Sequence, residues 1–81
     1  MARVVLNGNL RQFSGGRKEF ELDVDNVRQL FAQLGEHYPE LAPHLEAGIA
    51  VAIDGAIHQD ALFATIAPDS EVHVIPKIGG G

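Results

Sequence analysis

The chain contains no cysteine, which excludes a disulfide framework, a thiolate metal site and a cysteine nucleophile. Tryptophan is absent too, and aromatic residues make up only 6% of the 81 residues, so the core must be built mainly from aliphatic side chains. Basic residues are scarce: six Lys and Arg stand against eleven Asp and Glu, a formal net charge of −5. Sequence-independent binding to nucleic acid needs a basic footprint, which this balance excludes. A protein partner with a basic docking surface suits it better. No apolar run is long enough to span a bilayer, and Met1 to Gly8 holds too short an apolar stretch for a secretory leader. The expected location is therefore the cytoplasm, away from any membrane.

What is present is enough for one small domain. Apolar residues make up 46% of the chain and the charges are scattered, so the sequence is expected to fold on its own with a marginal core and no deep cleft. Arg3 to Asn7 reads as a strand ended by Gly8-Asn9. Ser14-Gly15-Gly16 is a turn signal, and Lys18 to Val24 alternates so that Phe20, Leu22 and Val24 share the buried face. Asn26 and Gln29 have the spacing of a capping box. Val27, Leu30, Phe31, Leu34 and Tyr38 then form one helical stripe, which Pro39 must end. Leu41 to Leu45 reads as an irregular, partly helical connection.

Ile49 to Ile53 is a strand, Asp54-Gly55 a hairpin turn and Ala56 to His58 its short return. Ala61 to Ile66 is expected to cross the sheet edge as a single turn before a last strand, Glu71 to Ile75. One helix must then cover one face of one mixed sheet. The order predicts an α+β roll of β-grasp type, with the first and last strands central and parallel.

Little in this chain supports chemistry of its own. His37, His44, His58 and His73 lack the close spacing that places two imidazoles on one helical face, so no metal site is expected. Ser14 and Ser70 stand in turns. Asp23 and Asp25 suit the start of a helix better than an acid/base pair, and Gly15-Gly16 lacks the lysine and helix of a phosphate loop. The last residues, Ile78-Gly79-Gly80-Gly81, are more informative. Three glycines have no side chains to pack and favour conformations closed to other residues, as a thread gripped by something else would need. The expected division is a domain over 1–78 and a flexible glycine tail over 79–81, disordered in the free protein. If Val72 and Val74 face the helix, Ile75 faces the other side of the sheet and Ile78 lies beyond the strand. Ile75, Pro76, Ile78 and Gly79 are then the expected partner-binding residues, with Phe13 or Leu62 extending an apolar patch.

These segments, in this order, resemble the MoaD/ThiS sulfur-carrier proteins of the ubiquitin-like β-grasp group. The carriers of the resemblance are Leu10-Arg11 with Gly15-Gly16, Asn26-Val27, Tyr38-Pro39-Glu40-Leu41, Val51-Ala52-Ile53-Asp54-Gly55, Glu71 to Pro76, and Gly80-Gly81. By length the chain is most similar to the small subunit of molybdopterin synthase. It departs from the family pattern at Asn7, where an aromatic is usual, at Asp69-Ser70, at Lys77 and at Gly79. The resemblance implies that Gly81 is adenylated on its carboxylate and converted to a thiocarboxylate, with Gly80 free of any Cβ that would hinder threading. ATP would be used by a ubiquitin-activating-enzyme-like adenylase, and this chain would bind no cofactor. Inactive alone, it would complete a larger catalytic subunit of molybdopterin synthase or another sulfur-accepting enzyme. The same chemistry could serve thiamine, cysteine or another metabolite. A ubiquitin-like protein modifier and a structural adaptor of phage-tail type also fit.

Overall fold

A computed structural model describes residues 1–46, 49–59 and 62–76 of the chain. The first strand, β1 (Ala2–Leu6), is followed by a 3-10 helix over Gly8–Ser14, then β2 (Glu19–Leu22), α1 (Val27–His37), α2 (Ala42–Glu46), β3 (Ile49–Ile53), β4 (Ala56–Gln59) and β5 (Glu71–Pro76). The five strands form one sheet in the order β2-β1-β5-β3-β4. Only β1 and β5 run parallel; the other neighbours are antiparallel. With one main helix on one face, this is the expected β-grasp roll, and β5 is its central strand.

The alternation of each strand decides what lies under the helix. Val4, Leu6, Val51, Val72 and Val74 point inward and join Val27, Leu30 and Leu34 of α1 in one core, with Val4, Leu30, Val72 and Val74 fully buried. Burying such side chains stabilises the fold by on the order of 1.5–3 kcal/mol each. Phe20 and Val24 are buried as the alternation predicts, while Leu22 is only half-buried against the same core.

The helix begins where its cap requires. The Asn26 side chain accepts from the backbone N–H of Gln29 at 2.9 Å, and Gln29 Oε1 reaches back to the N–H of Asp25 at 2.8 Å. The reciprocal bond thus falls one residue before the cap. Two further N–H groups of the first turn, those of Val27 and Arg28, donate to the carbonyls of Ala64 and Leu62. Residues 62–66 therefore do more than cross a sheet edge: they satisfy donors that a helix start leaves unpaired, and Thr65 bridges Asn26. At the other end Tyr38 has left helical geometry and serves as the C-cap, so the helix stops before Pro39. Gly35 stays inside it for a packing reason. A Cβ there would lie 3.2 Å from Ala42 Cβ, and the missing side chain lets α2 close on α1.

Asp54 and Gly55 both have positive φ, 49° and 89°, the geometry of a tight two-residue hairpin of type I′. The Asp54 carboxylate accepts from the Glu71 N–H and the Ser70 hydroxyl, each at 2.9 Å, so it also fixes the start of β5. Those bonds, the backbone one foremost, hold its pKa below the usual carboxylate value. Ser70, buried in a turn, is satisfied by this bond and by the Ala67 N–H. The 3-10 helix over Gly8–Ser14 was not legible as an element. It closes on Gly15 at φ 68°, which agrees with the turn read there.

Candidate functional site

Because β5 is central, its outward side chains stand in the middle of the sheet face that α1 leaves open. Glu71, His73 and Ile75 are those side chains, since Val72 and Val74 are inside. Pairing extends each into a row. Val5, His73, Ala52 and Ile57 lie side by side across four strands, and Ile75 lies opposite Ala50. Ile57 is 66% exposed, a large apolar side chain on the same open face as the half-buried Ile75. Beyond β1 the face becomes charged: Arg3 pairs with Glu21 and Glu71 in the register and forms an ion pair with Glu19. That hydrogen bond and charge raise the Arg3 pKa and lower that of Glu19.

A chain of hydrogen bonds crosses this face. Asn7 Nδ2 lies 3.2 Å from His73 Nδ1, and His73 Nε2 lies 2.8 Å from Glu71 Oε1. Asn7 at the end of β1 and Glu71 on β5 thus hold the two ring nitrogens of His73 from opposite sides. His73 points off the core face as its alternation predicts. Its link to Asn7, 66 residues away in sequence, had no signal in the spacing. Ile57 could have been found: counting back through the Asp54-Gly55 turn sets it opposite Ala52, on the face away from Val51.

The exit of β5 is tightly built. Pro76, half-buried, pairs with Ile49, and a Cβ at Gly8 would lie 2.9 Å from Pro76 Cγ. Gly8 has φ 62°, so glycine is required there by conformation and by space alike. The Asn7 N–H donates to the Val74 carbonyl at 2.9 Å, tying the end of β1 to that of β5. Of the expected partner-binding residues, Ile75 and Pro76 are thus neighbours on β5. Ile78, Gly79, Gly80 and Gly81 lie outside the described residues, as do the expected boundary at residue 78 and the expected disorder of the tail.

Two expectations are corrected. Phe13 does not extend the Ile75 patch: it stacks on His44 of α2, with ring centroids 4.0 Å apart, and packs against the core. Leu62 does not either. It lines a groove on the helix side with Val27, Phe31 and Val51, because its carbonyl is drawn to the start of α1. Among the described residues no group of three His, Asp or Glu side chains comes together as a metal site would require. No helix of the described residues is long and apolar enough to cross a membrane.

Sequence and structure comparisons agree with this architecture. The family model described as the ThiS family matches residues 4–81, and the chain belongs to that family of small, ubiquitin-like sulfur carriers, which are not enzymes on their own. No curated protein sequence matches it significantly. Its fold is similar to that of small archaeal modifier protein 1 (SAMP1) from Methanosarcina acetivorans, at a TM-score of 0.80 and 23% identity over 99% of this chain and 95% of that one. It is similar to CysO in the BexX/CysO complex of Amycolatopsis orientalis, at 0.74 and 17% identity, with all of both chains covered. A candidate molybdopterin converting factor subunit 1 from Pyrococcus furiosus matches at 0.72 and 19% identity, over 95% of this chain and 97% of that one. At such identities the likeness is one of fold.

Proposed function

We propose that this member of the ThiS family carries sulfur as a thiocarboxylate on Gly81 and works as the small subunit of molybdopterin synthase. The observation that carries the reading is that the family match includes the whole glycine segment. The central position of β5 supports it, because a segment following Pro76 continues from a strand paired on both sides in the middle of the sheet. A carboxylate is a poor electrophile. An activating enzyme of the ubiquitin-activating type would let a Gly81 carboxylate oxygen attack the α-phosphorus of ATP, releasing pyrophosphate. Sulfide-level sulfur then attacks the carbonyl carbon and AMP leaves. This chain supplies the carried group, and its partners supply orientation and electrostatics. On this reading residues 1–78 are the domain and 79–81 the thread. Ile75, Pro76, Ile78 and Gly79 guide it into the partner.

The assignment to molybdopterin synthase rests on length, on the order of the motifs and on the fold shared with the Pyrococcus protein. Its test is reconstitution. Sulfur-loaded protein, offered separately to a large molybdopterin synthase subunit and to a thiazole synthase, is expected to complete only the first. Turnover with the thiazole synthase alone would move the carrier to thiamine formation. The fold shared with SAMP1 favours a second reading, a protein modifier whose Gly81 ends as an isopeptide. Lysine-linked conjugates in cells, without turnover by either synthase, would select it.

A further inference from the structure

We propose that Gly8 is a positioning residue for the reactions of Gly81: the space it leaves beside Pro76 sets where the C-terminal segment departs from the sheet. The inference rests on the carrier reading above. β1 makes its last pairing at Leu6 with Val74, and the Asn7 N–H donates to the Val74 carbonyl at 2.9 Å. Ile75 and Pro76 therefore run past the end of β1, paired on their other edge with Ala50 and Ile49 of β3. Beyond β1 the chain turns at Gly8, φ 62°, into the 3-10 helix whose Leu10 is buried in the core. The corner at Gly8, and no residue of β1, is then what meets Pro76.

A side chain at position 8 has no room. Its Cβ would lie 2.9 Å from Pro76 Cγ and 3.4 Å from Pro76 Cδ, whereas ordinary contact begins at 3.4 Å. Pro76 must then give way by about 0.5 Å, the difference between 3.4 and 2.9 Å. An open side chain could swing aside, but the proline ring closes on its own backbone nitrogen through Cδ. The backbone at the exit of β5 therefore moves with it. Apart from its chain neighbours, Pro76 alone among the described residues comes within 4 Å of such a Cβ, so Ile75 and the docking face are not pushed. What shifts is the starting point of residues 77–81, whose reach is fixed at about 3.3–3.6 Å per residue. On the carrier reading, the Gly81 carboxylate then meets the α-phosphorus of ATP out of place. A misplacement of about 1 Å costs roughly 100-fold in rate, so half of that predicts a loss of about tenfold. Gly15 separates space from conformation: its φ is similar, 68°, but no atom lies within 4 Å of an added Cβ.

ATP–pyrophosphate exchange by the activating enzyme, with the full chain as substrate, reads the inference. In that exchange the Gly81 carboxylate oxygen bonds to the α-phosphorus as the α–β phosphoanhydride breaks, and the reverse step returns labelled pyrophosphate to ATP. Gly8→Ala and Gly15→Ala are each expected to melt about 4–8 °C below wild type, because alanine is strained at positive φ. Assayed well below both melting points, Gly8→Ala should lose about tenfold in kcat at an unchanged KM for the chain, while Gly15→Ala keeps the wild-type kcat. In a Pro76→Ala background, which removes Cγ and Cδ, Gly8→Ala should cost no further kcat. Gly8→Asn carries the same Cβ in a residue that tolerates positive φ, and poses the same test if Gly8→Ala does not fold. A folded position-8 variant with wild-type kcat overturns the inference, as does an equal loss in Gly15→Ala or a loss that persists in the Pro76→Ala background. No exchange with the wild-type chain, by an enzyme shown to activate another carrier protein, overturns the carrier reading and this inference with it.

Discussion

Gly80→Ala is expected to melt at the wild-type temperature and yet to lose roughly 100-fold in adenylation or sulfur transfer, the penalty typical of a reacting group misplaced by about 1 Å. The two halves of this expectation have separate physical sources. Stability comes from the core of Val4, Leu30, Leu34, Val72 and Val74 and from the ladders of β5, and glycine contributes no side chain to any packed core. On the proposed function, the carboxylate of Gly81 must reach an enclosed nucleotide site through a passage that need admit only backbone. An added Cβ narrows the fit and removes the positive-φ conformations open to glycine alone. Ordering each tail residue costs about 1–2 kcal/mol, which backbone hydrogen bonds along the passage would offset. Superimposable melts with different turnover are the expected pair of results. A variant that melts normally and carries sulfur at the wild-type rate would make the penultimate glycine mere slack.

Ile75→Asp is expected to weaken binding to the activating enzyme and to the sulfur-accepting subunit by about 2 kcal/mol or more, with little change in stability. Ile75 stands opposite Ala50 on the face away from α1 and is half-buried among neighbours that include no part of the helix core. A carboxylate there stays near water in the free protein but loses that water against an apolar partner surface, where an unpaired charge is poorly tolerated. Glu19, Glu21 and Glu71 flank the same face on its β1–β2 side, so the loss expected at position 75 comes from burying a charge against an apolar surface and not from a change of sign in the face. Calorimetric titration of folded variant against each partner measures the loss. If the variant unfolds, Ile75 is a structural residue and the docking surface lies elsewhere.

The sequence carried most of this architecture because its local signals agree with one another. Period-2 alternation in β5 fixed which side chains enter the core, Asn26 fixed the start of the helix, and Asp54-Gly55 fixed the register of β3 against β4. What it did not carry depends on contacts between distant segments. The 3-10 helix over Gly8–Ser14 has no apolar period of its own, since only Leu10 and Ser14 of it are buried. Phe13 and Leu62 are apolar residues in connections, and nothing in their own neighbourhood says which layer they join. One stacks on α2 and the other is pulled to α1 by a backbone hydrogen bond. Gly35 has no local reason to stand inside α1, and only the approach of Ala42 explains it. The same holds for the site: Ile75 was legible from alternation, whereas the Asn7–His73–Glu71 chain exists only because β1 and β5 are paired.

The central claim is that Gly81 carries sulfur, and intact-mass analysis reads it without reference to any pathway. The chain is co-expressed with its activating enzyme and a sulfur donor, with the adenylating activity of that enzyme verified separately. The account predicts a gain equal to one sulfur replacing one oxygen, located by fragmentation at Gly81 and absent from protein expressed without the enzyme. An unchanged mass in the presence of the active enzyme would contradict it.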